Sequence, residues 1–249
     1  MISFAPRIST LLRSQWAVAL LVATVQTASA QAFCSSDGQA RPTALMERFI
    51  NADCDACWKD PTTPSVQAGQ MALDWVLPGS RGDDAPLSAV ASRDGVNRLE
   101  ALGEAVPDKA ASSTHIIKKP GLKGSSLRVA HGLALSGYIG VSIELKSNRA
   151  ISARQSQQPL TAWLVLVESI PEGTEGSKVA RNLVRNALQI NWNARDQLSK
   201  KERSRLFESR VMSVVQGVTP DQLRVMGWVE DAKGKVLAAA QSGCTPQVK

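Results

Sequence analysis

The segment Asn51–Asp60 contains the cysteines with the clearest potential for chemistry. Cys54 and Cys57 are two residues apart, a spacing that suits a dithiol redox site, half of a zinc site or a short structural disulfide. The thiolate is the reactive form of a cysteine, so neighbouring charge decides how active such a pair is. Asp53 and Asp55 flank Cys54, and negative neighbours disfavour the thiolate. The residues alone leave a redox site and a structural staple both open.

Two further cysteines, Cys34 and Cys244, complete a set of four. An even number in an oxidising compartment favours disulfides over free thiols. The short spacing favours a Cys54–Cys57 bond, which leaves Cys34–Cys244 to join the two ends of the mature chain. The other two pairings stay open at this point.

The two histidines, His115 and His131, lack the spacing of metal ligands. A second Cys-x-x-Cys is also missing from the sequence. His131 lies in a strand-like apolar segment and is expected to be a core histidine, while His115 is expected to be a solvated loop residue. We therefore predict no metal and no cofactor.

The first 30 residues have the three parts of a secretory signal. Arg7 and Arg13 form a basic start, Trp16–Val25 is an apolar run, and Ala-Ser-Ala precedes a cleavage point after Ala30, with Ala32 as the alternative. An apolar run of about ten residues is too short for a membrane span, which needs about 20. We expect a periplasmic or secreted protein with no membrane span after signal cleavage.

The charge of the chain excludes one class of partner. The sequence has 29 basic and 22 acidic residues, and only two of the basic ones precede residue 31, which leaves a net charge of +5 for the mature chain. These charges are scattered, and no aromatic residues alternate with basic ones as in nucleic-acid-binding surfaces. We expect an unknown envelope protein as partner and no nucleic acid.

The elements that must position the cysteines are strands with one short helix. Apolar runs predict a buried strand before Cys54 and a second one around MALDWVL, and Gly95–Val106 has the 3.6-residue spacing of an amphipathic helix. From Ser126 onward, Val-, Leu- and Ile-rich runs separated by turns such as Asp231–Gly234 predict a mainly antiparallel β part. One helix, Val179–Asn191, is expected to be inserted in it.

The motif TALMERFINADCDACW resembles the start of a family of secreted bacterial proteins of unknown function with a thioredoxin-like fold. Members of that family carry a Glu-Leu-Phe-Thr-like strand before a Cys-x-x-Cys. Residues Glu172–Lys178, followed by Arg181–Arg185, are similar to the family's glycine-rich loop and its Asn-Val-Val-Arg segment. Val225–Asp231 and Val236–Ala240 resemble its closing strands.

This resemblance implies an α+β fold, with a thioredoxin-like part at residues 31–120 and a mainly antiparallel β part at residues 121–249 that contains one helix. It implies thiol–disulfide exchange in which Cys54 is the attacking thiol and Cys57 the resolving one. The alternative hypothesis is a non-catalytic secreted binding or structural module, in which Cys54–Cys57 and Cys34–Cys244 are structural disulfides.

Overall fold

The computed structural model describes residues 34–117, 122, 124–147, 159–192 and 205–244, so the predicted signal at residues 1–30 lies outside the described residues. Within these ranges, α1 covers Asp55–Trp58 and α2 covers Arg93–Leu102. The strands are β1 Cys34–Ser35, β2 Ala44–Asn51, β3 Gln70–Leu77, β4 Ala110–Ile116, β5 Ser125–Leu135, β6 Tyr138–Ser147, β7 Leu160–Ile170, β8 Arg181–Asn191, β9 Arg205–Ser213, β10 Leu223–Asp231, β11 Val236–Gln241 and β12 Gly243–Cys244.

The strands form two sheets. The larger has seven strands in the order β11-β10-β7-β8-β3-β2-β4, and the smaller has five in the order β12-β1-β5-β6-β9. Strand β3 runs parallel to both of its neighbours, β2 and β8, while the β7–β8 and β7–β10 pairs are antiparallel. Val129 and Ile143 of the smaller sheet share one apolar cluster with Leu164 and Val225 of the larger sheet. The two sheets therefore pack face to face.

Helix α2 covers the other face of the larger sheet, where Leu99 packs with Trp75 and Leu73. The helix begins after Ser92, whose hydroxyl accepts a hydrogen bond from the backbone N–H of Asp94 at 3.1 Å. Gly95 lets it approach β3, because a Cβ at that position would lie 2.6 Å from Cδ2 of Leu77. A helix predicted from the 3.6-residue spacing of Gly95–Val106 is confirmed, but it covers Arg93–Leu102 and ends at Gly103, which has a positive φ.

The predicted α+β class with a thioredoxin-like front part is wrong. The described chain is mostly β and is organised in two large sheets. Strands β2, β3 and β4 do not form a sheet of their own, because β3 pairs with β8 and so joins them to β7, β10 and β11. Strands from both sides of the predicted boundary at residue 120 therefore lie in one sheet, and the boundary itself stays a prediction.

The helix predicted for Val179–Asn191 is also wrong, since Arg181–Asn191 forms strand β8. This strand lies inside the larger sheet between β7 and β3, and Leu183 and Val184 are both buried, in clusters on opposite faces. A bulge at Arg185 shifts the register against β7. Burial on both faces and the bulge remove the strict alternation typical of a strand, and the apolar positions then match a helical spacing by coincidence.

No helix within the described ranges is long and apolar enough to cross a membrane.

Candidate functional site

The Cys54–Cys57 pair lies in a tight turn at the end of β2. The backbone N–H of Cys54 donates to the carbonyl of Asn51 at 3.0 Å, and the N–H of Cys57 donates to the carbonyl of Cys54 at 3.1 Å. Helix α1 is a single turn that brings the two cysteines together, and they form a disulfide. Both cysteines are half-buried, so the bond is partly accessible.

The two acidic neighbours of this disulfide, Asp53 and Asp55, bond to residues other than the cysteines. Asp53 accepts hydrogen bonds from the hydroxyl and backbone N–H of Ser80, both at 2.7 Å. These bonds, the hydroxyl's first, hold the pKa of Asp53 below its ordinary value despite partial desolvation. Asp55 pairs with Lys59 at 2.8 Å, and both side chains are about half exposed. The charge of Asp55 is thus paired with a cation, whereas Asp53 keeps its negative charge, because Ser80 is a neutral donor.

Buried cations lie on the same face of the larger sheet as Cys57. Arg48 and Arg181 are 2% and 1% exposed, and both bond the fully buried carboxylate of Asp74, at 2.7 and 2.9 Å. Two guanidinium groups and one carboxylate leave this cluster with a net positive charge. Burial lowers the pKa of Arg181, an effect that Asp74 opposes and Arg48 reinforces.

A pocket of about 300 Å³ opens beside these groups. Cys57, Arg48 and Arg181 line it together with Asp60, and Ala110–Ser112 of β4 form part of its wall. Nε of Arg48 is buried and has no hydrogen-bond partner among the described residues. Cys57 therefore borders a pocket that is lined by two buried cations, Arg48 and Arg181, and by the carboxylate of Asp60.

Trp58 connects the disulfide turn to the cation cluster. Cζ of Arg181 lies 4.5 Å from the centroid of the Trp58 ring, and Nη2 of Arg181 donates to the Trp58 carbonyl at 2.8 Å. The indole N–H donates to the carbonyl of Thr174 at 3.3 Å. Because Trp58 is buried and held by these contacts, it fixes the turn against the sheet.

A second buried charge cluster lies on the opposite face of the larger sheet. Arg98 of α2 pairs with Glu47 and Glu230, each at 2.7 Å, and its Cζ lies about 5 Å from the rings of Trp163 and Trp228. Burial opposes the charge of Arg98, but the two carboxylates, Glu47 first, raise its pKa above its ordinary value. This cluster joins α2 to the sheet and is closed off by tryptophans, so we assign it a structural role.

The second disulfide, Cys34–Cys244, lies in the smaller sheet and matches the expected pairing. Cys34 of β1 is directly opposite Cys244 of β12 on one side and His131 of β5 on the other. The two sulfurs and one imidazole nitrogen of these three residues all lie within 4.8 Å of one another. Along the sequence, His131 has no neighbours with the spacing of metal ligands. In the folded protein, two cysteines lie close to it.

Sequence reasoning missed Arg48, Asp74, Arg181 and the neighbourhood of His131. A signal for two of them was present, because Arg48, with Glu47 beside it, and Asp74 lie inside strands whose other central residues are apolar. A charge at such a position must be paired if it is buried. The identity of the partners depends on strand pairing between distant segments, which local patterns do not contain.

Comparisons with known proteins assign no family to this chain. No family model matches it, and no curated protein matches it. One solved structure with partial similarity is the crystal structure of chicken MD-1 complexed with lipid IVa, at 8% identity and a TM-score of 0.22, covering 54% of this chain and 97% of that chain. Similarity at that level carries no argument, so the family resemblance of the sequence stays a prediction.

Proposed function

We propose that this chain is an exported thiol–disulfide exchange protein in which Cys54 and Cys57 form the reactive disulfide. One observation carries the proposal, namely that Cys57 lines a pocket with the buried cations Arg48 and Arg181. A positive environment favours the thiolate that is released when the disulfide opens. The two disulfides in the structure support an oxidising compartment such as the periplasm or the medium.

The exchange is a two-electron reaction with a dithiol partner. A partner thiolate attacks Sγ of Cys54, the Cys54–Cys57 bond breaks, and its electron pair leaves on Sγ of Cys57 in the cationic pocket. The second partner thiolate then attacks the partner's own sulfur in the mixed disulfide and displaces the Cys54 thiolate. The partner gains a disulfide. Of the two protons that its thiols lost, one is taken up by Cys54 and the other stays in solvent, since Cys57 is left as a thiolate.

In the reverse direction Cys54 is the attacking thiol and Cys57 the resolving one. Reduced Cys57 would remain beside the cations as a thiolate, ready to displace a partner from the mixed disulfide at Cys54. The buried cations thus stabilise the thiolate of Cys57 in both directions of the reaction.

The edge of the larger sheet beside the pocket suits an extended segment of a partner protein. The backbone N–H of Asn51 donates a hydrogen bond to the carbonyl of Lys109, so these two residues are a hydrogen-bonded pair. In an antiparallel ladder such pairs alternate with pairs that do not bond each other. The backbone groups of Ala110 and Ser112 therefore point away from β2. Among the described strands, none pairs with this outer edge of β4. A partner strand added here would bring its cysteine to the disulfide.

The test is the reduction potential of each disulfide, measured by equilibration in thiol buffers with alkylation and mass analysis of each cysteine pair. We expect the reduction potential of Cys54–Cys57 to lie above about −300 mV, whereas structural disulfides lie below that value. Cys57→Ser should trap partners as mixed disulfides through Cys54, and Cys54→Ser is the matched control. A potential below that limit, with no insulin reduction, would refute the proposal.

The alternative is a binding or structural module in which the Cys54–Cys57 bond only holds the turn. The observation in its favour is that Cys57 also packs against the apolar cluster that contains Ile50, Trp58 and Leu183. In that case the double variant Cys54→Ser/Cys57→Ser would lose stability, and the native protein would show no turnover with any thiol substrate.

A further inference from the structure

Three residues from three adjacent strands form a compact cluster at the second disulfide. Cys244, Cys34 and His131 occupy matching positions in β12, β1 and β5, so their side chains share one row across the smaller sheet. Two sulfurs and an imidazole nitrogen within 4.8 Å of one another are a ligand set that zinc prefers. Cys34 is buried and Cys244 is exposed, so the row opens to solvent at one end.

The histidine of this row is held in the form that a metal ligand requires. His131 is 4% exposed, and its Nδ1 lies 2.8 Å from the carbonyl oxygen of Gly132. A carbonyl only accepts hydrogen bonds, so Nδ1 carries the proton and Nε2 carries the lone pair. A backbone carbonyl bonded to one ring nitrogen is the usual way in which a metal-binding histidine is oriented.

Nε2 of His131 is buried and has no hydrogen-bond partner among the described residues. Such a group is rare in folded proteins, because desolvation without a partner is unfavourable. The sulfurs of the Cys34–Cys244 disulfide carry no proton, so they cannot donate a hydrogen bond to this lone pair. The lone pair therefore lacks a partner in the oxidised state, and a metal ion held by the two sulfurs would supply one.

We propose that Cys34, Cys244 and His131 form a redox-controlled Zn²⁺ site. A reducing dithiol transfers two electrons, opens the Cys34–Cys244 bond and becomes a disulfide itself. Zn²⁺ then displaces the protons of both thiols and forms two Zn–S bonds and one Zn–N bond to Nε2. Water completes the fourth position, which the exposure of Cys244 leaves accessible.

The reverse reaction closes the cycle. A disulfide oxidant accepts two electrons from the two thiolates, the Cys34–Cys244 bond forms again, and Zn²⁺ is released. Arg224 lies close to the site, with Nη1 4.0 Å from Sγ of Cys244, and its charge favours the thiolate over the thiol. The site therefore holds zinc only under reducing conditions, independently of any exchange at Cys54–Cys57.

The experiment uses full-length Cys54→Ser/Cys57→Ser protein, in which Cys34 and Cys244 are the remaining thiols. After reduction with a phosphine, Zn²⁺ is titrated in competition with a chromophoric chelator, and Co²⁺ is added separately as a spectroscopic substitute. We expect one equivalent of Zn²⁺, a thiolate-to-Co²⁺ charge-transfer band and no binding by the oxidised protein. His131→Ala should lower the Zn²⁺ affinity at least tenfold.

His115→Ala is the matched control, because His115 lies on β4 of the other sheet and should leave the Zn²⁺ affinity unchanged. If the double serine variant does not fold, the same comparison of His131→Ala with His115→Ala is made in fully reduced protein with four thiols. Equal Zn²⁺ affinity of these two variants, or no Zn²⁺ binding by reduced protein, would overturn the proposal.

Discussion

Glu47 and Arg48 are neighbours in β2, yet their side chains lie in separate buried charge clusters on opposite faces of the larger sheet. Glu47 is fully buried and pairs with Arg98, while Arg48 is 2% exposed and pairs with Asp74. Alternation along a strand directs consecutive side chains to opposite faces. One cluster joins the helix to the sheet, and the other supplies the positive charge of the pocket beside Cys57.

Asp74→Asn should be strongly destabilising. It removes the carboxylate that Arg48 and Arg181 share, and breaking a buried ion pair by removing one partner costs about 3–5 kcal/mol. The measurement is the free energy of unfolding from denaturant titration. Asp84→Asn, at an exposed position, is the control and should stay within about 0.5 kcal/mol of the unmodified protein. Equal effects of the two changes would contradict the assigned role of Asp74.

Asp60→Asn should make Cys57 more reactive. Asp60 lines the same pocket as Cys57, and its charge opposes the thiolate there. In a Cys54→Ser background, Cys57 is the single free thiol while the Cys34–Cys244 disulfide is intact. We expect alkylation by iodoacetamide at pH 7 to accelerate about two- to fivefold, because a charge that is partly open to solvent couples only weakly to its neighbour.

The control for this measurement is Asp55→Asn, since Asp55 is paired with Lys59 and is not among the residues that line the pocket. Its alkylation rate should change less than that of Asp60→Asn. An unchanged rate for Asp60→Asn would mean that the pocket charge does not act on Cys57.

The two disulfides should differ in their contribution to stability. Cys34–Cys244 closes a loop with a sequence separation of 210, and Cys54–Cys57 one of only 3. The loop-entropy model gives about 5 kcal/mol for the long loop and about 2 kcal/mol for the short one. Thermal unfolding of the two double serine variants should therefore show the larger loss for Cys34→Ser/Cys244→Ser. The reverse order would indicate native interactions that outweigh loop entropy.

Acidification should destabilise the protein through His131. Burial holds the pKa of His131 below its ordinary value of 6.5, although the Gly132 carbonyl opposes this shift. As the pH falls, His131 takes up a proton in the unfolded chain at a higher pH than in the folded protein. The stability that neutral His131 contributes is therefore fully present above pH 6.5 and decreases below it. The slope for one proton is at most about 1.4 kcal/mol per pH unit.

His131→Gln should flatten the curve of unfolding free energy against pH between about pH 6.5 and 5. Asp37, whose pKa is lowered chiefly by its hydrogen bond to Arg128, acts only in the more acidic range near and below its ordinary value of 3.8. The two effects are therefore separable. A His131→Gln curve that runs parallel to that of the unmodified protein would rule out this assignment.

Several elements could be predicted from the sequence because their determinants are local. The helix Arg93–Leu102 has its apolar spacing and its cap within a dozen residues, and the strand before Cys54 is a short apolar run. The observed disulfide pairing is the one that the cysteine spacing favoured, although the sequence left the two other pairings open. Export was inferred from residues 1–30, and thiol exchange from the Cys54–Cys57 motif and its family resemblance; both stay predictions.

Other features depend on residues that are far apart in the sequence. Arg181 is 107 positions from Asp74 and comes to it only because β8 pairs with β3, and Cys34 comes to His131 only because β1 pairs with β5. The sequence by itself determined the short spacing of Cys54 and Cys57 and the charge that flanks them. The tertiary structure decided which buried cations border Cys57 and which histidine meets Cys34, because strand pairing between distant segments brings them into contact.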